Sequence, residues 1–230
     1  MSGNATAINQ TFLPGASPVC DSAAEELANA VTHGVGAVLA AAGMAVLVWL
    51  AAERADATAF ASLAVYGLCL TLLYLASTLY HWATTARAKL ILQRCDHAAI
   101  YLMIAGTYTP ICLLVVGGAM GQGLLAGVWV FALVGAVCKA TGRLCYGAAS
   151  TALYLALGRL ALVAFGPMMQ VAPFAFIQLL LLGGAAYTLG TVFFHWDRMP
   201  YNHAVWHLCT LAGSAFHFFA ILHYAVPAAT

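Results

Sequence analysis

The segment His203-Ala204-Val205-Trp206-His207 sets two imidazoles four residues apart. On a helix this spacing places them one turn above each other, about 5–6 Å between Cβ atoms, which suits joint coordination of one metal ion. Two independent histidines at a membrane boundary, paired with backbone or water, satisfy the same pattern. His81 supplies a third imidazole, and Asp96 a carboxylate. Three histidines with one position left to water form a catalytic zinc arrangement, because the metal lowers the pKa of that water to about 7. Asp96 could then be a direct ligand, the base that takes the proton from the water, or an acceptor behind the ligands; a helix N-cap is the structural alternative. Ser77 lies one turn before His81, where its hydroxyl could bond the water or a developing oxyanion, although small hydroxyls are also common where membrane helices meet. Glu26, Asn29 and His33 recur at spacings of three and four, hence on one helical face. They could brace the site from a neighbouring helix, or simply form a capped and solvated helix start.

The elements that must position these groups follow from composition. Of the 230 residues 64% are hydrophobic and 7% charged, far below the roughly 25% charged that a soluble domain uses to solvate its surface. The chain is therefore expected to be an integral membrane protein without room for a soluble domain. Its net charge of +1 offers no basic face for nucleic acid. Apolar stretches predict seven spans, approximately Val31–Ala52, Ala59–His81, His97–Val116, Leu124–Thr141, Thr151–Met168, Ala172–Phe194 and His203–Ala225. The fold class is then all-α: residues 25–230 form one seven-transmembrane-helix bundle behind a polar tail, residues 1–24.

Lysine and arginine in alternate loops set the orientation. Arg87, Lys89, Arg94, Lys139, Arg143 and Arg198 fall in the even loops and Arg54 alone in the odd ones, which predicts a cytoplasmic amino terminus and a carboxyl terminus outside. The polar, acidic first thirty residues do not resemble a signal peptide, so the amino terminus is expected to stay where it was made. His81, Asp96, His203 and His207 then share the cytoplasmic membrane level. This orientation opposes a G-protein-coupled receptor. With Lys89 and Lys139 as the only lysines, a retinal protein is excluded too, and no internal repeat suggests a two-half transporter. The seven cysteines (Cys20, Cys69, Cys95, Cys112, Cys138, Cys145 and Cys209) never form a CxxC pair and read as small apolar residues. Arg159, His217 and His223 are further polar groups within apolar spans; His217 lies about 15 Å along the helix from His207, too far to share its metal.

The residues that carry a resemblance are Glu26-x2-Asn29-x3-His33-Gly34, Ser77-Thr78-Leu79-Tyr80-His81, Asp96-His97-Ala98-Ala99-Ile100-Tyr101 with Ala105-Gly106-Thr107-Tyr108-Thr109-Pro110, and Met199-Pro200-Tyr201-Asn202-His203-Ala204-Val205-Trp206-His207. Together they resemble the bacterial hemolysin III proteins, which belong with the progestin and adipoQ receptors, including the adiponectin receptors, and more distantly with the alkaline ceramidases. The resemblance runs from about Glu25 to Tyr224. It implies seven helices, a cytoplasmic amino terminus, and a zinc ion (Zn2+) on His81, His203 and His207, with Asp96 and Ser77 matching the family's aspartate and serine. It also implies hydrolysis of an amide or ester in a membrane lipid, a role in lipid homeostasis, and residence in the bacterial inner membrane. A receptor or regulator in which zinc only ties helices together is the rival expectation. Nothing here resembles a pore-forming toxin. One departure is Gly158-Arg159, where the bacterial pattern often carries Gly-Trp; an arginine there could contact a lipid head group or snorkel.

Overall fold

The computed structural model describes residues 22–53, 56–144 and 146–226. Most of the polar tail, with Cys20 and Asp21, and also Arg54 and Cys145, lie outside the described residues. Seven helices are long and apolar enough to cross a membrane: α1 (Ala23–Ala52), α2 (Ala57–Trp82), α3 (Ala86–Val116), α4 (Gly118–Ala140), α5 (Ala148–Val171), α6 (Phe174–Phe194) and α7 (Asn202–Ala225). No strand occurs among the described residues. All seven expected spans are present, and the cysteines Cys69, Cys95, Cys112, Cys138 and Cys209 are free. An α-helical bundle of this kind satisfies every backbone group within its spans, as a lipid environment demands.

Several helices begin earlier than their apolar stretches. Ser22 caps α1 by accepting from the Glu25 N–H at 3.2 Å, so the helix starts eight residues before Val31 and carries Glu26 and Asn29 in its first turns. Thr85 caps α3 by accepting from the Ala88 N–H at 3.3 Å. Asp96 therefore sits ten residues inside a helix, which removes the N-cap reading of its carboxylate. Lys139 also differs from a loop cation. It is fully buried in the last turn of α4, with its ammonium 4.3 Å from the centre of the Tyr146 ring.

Half or more of α2 and α3 is enclosed, whereas α5 is the least enclosed span at 17%. Without a hydrophobic drive between helices in lipid, small residues at crossings let the spans approach. A Cβ on Gly67 of α2 would lie 2.4 Å from Met44 of α1, and one on Gly106 of α3 would lie 2.7 Å from Cys69 of α2. These two contacts bring α1, α2 and α3 close enough for their polar faces to share hydrogen bonds. Pro110 then interrupts α3, whose last turn, Ile111–Val116, is a π-helix. The single residue Gly117, at φ 64°, reverses the chain into α4.

α5 is not a continuous α-helix. Its α-helical first half ends at Arg159, a 3₁₀ turn spans Leu160–Ala164, and a short α-helix completes it from Phe165 to Val171. The Tyr108 hydroxyl lies 2.7 Å from the Gly158 carbonyl and accepts the Ala161 N–H, so it satisfies backbone groups that the break releases inside the membrane. Tyr108 and Thr109, which accepts from the Trp129 indole at 3.1 Å, thus give the Ala105–Pro110 motif a structural role.

Candidate metal centre and its cavity

Four spans, α1, α2, α3 and α7, supply side chains at the end of the bundle where α2 and α6 finish and α3 and α7 begin. One ring nitrogen each from His81, His203 and His207 lies within 4.8 Å of the other two. Ring centroids are separated by 4.9 Å for His81–His203, 5.1 Å for His81–His207 and 4.6 Å for His203–His207. The last pair comes from the i, i+4 spacing on α7, while His81 arrives from α2.

The remaining ring nitrogens are held from behind. His81 Nδ1 donates to the Glu26 carboxylate at 2.8 Å, whose other oxygen accepts from Lys89. His207 Nδ1 lies 3.2 Å from the Asn29 carbonyl and 3.1 Å from the Thr32 hydroxyl. Because a carbonyl only accepts, that ring carries its proton on Nδ1 and presents a bare Nε2. His81 Nε2 is buried and has no hydrogen-bond partner. Two rings turned outward by their supports, with unpaired nitrogen lone pairs facing a third imidazole, are what a borderline-soft divalent cation such as zinc requires. The donor set fits the metal.

Behind the histidines runs a polar chain. His33 stacks on His207, with centroids 3.4 Å apart and planes 9° from parallel. Its Nδ1 lies 2.7 Å from the Ser77 hydroxyl, and Ser77 and Asp96 line the same end of the cavity. Asp96 is buried but outside the group of three mutually close ligand atoms. All eight residues singled out at this end (Glu26, Asn29, His33, Ser77, His81, Asp96, His203 and His207) thus meet in one neighbourhood. His217 and His223 lie elsewhere: His217 faces the Leu180 carbonyl at 3.2 Å, and His223 is exposed at the far end of α7.

Three supporting residues escaped the sequence reading. Thr32 lies between Asn29 and His33 and needs only its position to be inferred. Lys89, a loop charge by the apolar pattern, faces Glu26 from the first turn of α3. Tyr201, in the left-handed region at φ 56°, donates its N–H to Glu25 at 3.0 Å and so aims the start of α7 against α1. Nothing in a single sequence signals that last contact.

A cavity of about 240 Å³ opens from this centre. His33, Ser77, Asp96, His203 and His207 lie at one end; the walls are mostly apolar side chains of α3, α5 and α6, and the far end reaches His217. Gly158 and Gly184 line it from α5 and α6, and no heavy atom lies within 4 Å of where either Cβ would be.

With the fold and this centre established, comparison with known proteins gives a consistent placement. The family model described as Haemolysin-III related matches residues 22–218. This chain belongs to that family. It is 41% identical over 206 residues to Hemolysin-3 of Bacillus cereus, covering 90% of this chain and 94% of that protein. It is 42% identical over 202 residues to the Hemolysin-3 homolog of Bacillus subtilis (strain 168), covering 88% and 95%. A more distant relative is the human Monocyte to macrophage differentiation factor, 30% identical over 210 residues, 87% of this chain and 84% of that protein. The family member described here is a multi-pass membrane protein of seven helices. Helical bundles of this type reside in the inner membrane of bacteria, where outer-membrane proteins are barrels.

Glu26 gives a direct test of the support around the histidines. Glu26→Gln keeps the shape but removes the charge that orients His81 and neutralises Lys89. Zinc affinity is expected to fall about 10–100-fold, measured by competition against a calibrated chelator. An unchanged affinity would show that His81 needs no orientation from Glu26.

Proposed function

We propose that this protein is a zinc-dependent hydrolase of acyl lipids, cutting an amide or ester within the membrane and so adjusting membrane lipid composition. The observation that supports this most is the junction of the two features: His203 and His207 of the three-histidine donor set line the polar end of an apolar cavity that also holds Asp96 and Ser77. A zinc whose only task is to tie helices together has no use for such a cavity. Gly158 and Gly184 add open space to the wall between α5 and α6, the side from which this reading has an acyl chain enter.

In this reading His81, His203 and His207 hold the metal, which when bound supplies Lewis-acid polarisation and makes water acidic enough to ionise near neutral pH. Asp96 takes the proton of the attacking water. The water oxygen forms a bond to the acyl carbon, the carbon–nitrogen or carbon–oxygen bond breaks, and Asp96 returns the proton to the leaving amine or alcohol. The products are a fatty acid and that amine or alcohol. Ser77 keeps the Asp96 carboxylate aimed at the cavity, and His33 fixes Ser77 from behind. The arginine- and lysine-rich connections at this end favour placing the centre at the cytoplasmic leaflet.

Purified protein is tested on mixed lipids, before and after chelation and after zinc is restored, with released fatty acid measured by mass spectrometry. Release that disappears on chelation and returns with zinc is the expected outcome. Zinc-loaded protein that releases nothing from any acyl lipid would instead favour a receptor or regulator.

A further inference from the structure

Arg159 carries a full charge in the middle of a span. It lies eleven residues beyond Ala148, about 16 Å of helix rise from the histidine end of α5, directly before the 3₁₀ turn. It is exposed and lines the cavity. Its position belongs to a regular stripe: Thr151, Leu155, Gly158 and Arg159, at spacings of three and four, all line the same cavity. The Cα–Cβ bonds of a helix tilt towards its amino-terminal end, so the Arg159 side chain leaves the backbone towards the histidine end.

Among the described residues no carboxylate forms an ion pair with this charge. The ion pairs among the described residues join Glu26 to His81 and Lys89, and Asp96 to His97. Glu25 is held by Ser22 and Tyr201. Glu53 and Asp56 lie at the opposite end of the bundle, between α1 and α2. A charged side chain at membrane depth is costly unless paired, and such groups mark a ligand path. Gly158 and Gly184 line the cavity beside it, with open space where either Cβ would stand, so there is room for a ligand from the bilayer to supply the partner.

We infer that Arg159 binds the oxyanion of an acyl lipid at the gap between α5 and α6, which makes anionic lipids the preferred occupants of the cavity. The planar guanidinium matches a phosphate or a carboxylate with two parallel hydrogen bonds, a geometry lysine does not reproduce. The inference rests on the cavity being the acyl-lipid site proposed above, and it names the substrate class. Zinc is not involved in the contact.

The test compares wild type, R159Q and R159K by native mass spectrometry in detergent, titrating phosphatidylglycerol, phosphatidylcholine and oleate. Wild type is expected to retain phosphatidylglycerol about tenfold better than phosphatidylcholine, a preference worth one good charge-assisted contact. R159Q should lose that preference while keeping its melting temperature, and R159K should keep part of it. A preference confined to oleate supports the same oxyanion contact and assigns it to a free fatty acid. R159Q retaining the wild-type preference, or wild type showing none, overturns the inference. Binding is read without turnover, so a chain that selects anionic lipids yet hydrolyses nothing would refute the hydrolase reading and leave this one standing.

Discussion

Replacing His207 by alanine is expected to remove zinc and thermal stability together. His207 supplies one of three mutually close ligand nitrogens, and two imidazoles from His81 and His203 are too few to hold the ion against water. Metal bound only by the folded state stabilises it by mass action, about 4 kcal/mol at a thousandfold excess over the dissociation constant. For a chain of this size that corresponds to a melting temperature lower by roughly 10 °C. Part of any loss has another origin, because His207 also stacks on His33 and hydrogen-bonds the Asn29 carbonyl. The two contributions separate on chelation: wild type should fall when stripped and recover with added zinc, whereas His207→Ala should respond to neither. Elemental mass spectrometry should read about one zinc per wild-type chain and close to none in the variant. Full zinc in His207→Ala would remove the three-histidine centre altogether.

The histidines were legible because helical period and topology are both written in sequence. An i, i+4 pair at the start of one span, and His81 at the end of another, lie at the same membrane level once the number of crossings between them is known. The face formed by Glu26, Asn29 and His33 was legible for the same reason, since three- and four-residue spacing survives whatever the helix packs against. Helix starts were less visible. Apolar stretches mark where lipid begins, whereas Ser22 and Thr85 cap helices that continue through polar residues, so Asp96 and Lys89 looked like loop residues and turned out helical. The break in α5 was hidden because its cause, the Tyr108 hydroxyl, sits on another span. Lys139 reads as a loop cation by its charge, but its ammonium is buried against the ring of Tyr146. In each case what the sequence lacked was the identity of the neighbour, which only packing supplies.

Asp96→Asn is the substitution expected to separate metal binding from chemistry. Asparagine keeps the volume, and the His33–Ser77 hydrogen bond does not involve residue 96, so that arrangement survives. It cannot take a proton from water. Because Asp96 lies outside the trio of ligand nitrogens, zinc content should stay near the wild-type level. Turnover should fall about 10²–10⁴-fold, the usual contribution of a positioned general base, and the loss should appear in kcat rather than in KM. The measurement is fatty-acid release at saturating lipid, with zinc content determined on the same preparation. Turnover equal to wild type would remove Asp96 from the chemistry. Loss of zinc together with turnover would mean that the carboxylate closes the fourth coordination position, and a closed site is the mark of a structural metal. The same variant therefore decides between a hydrolase and a zinc-stapled receptor, because the two readings assign opposite metal contents to it.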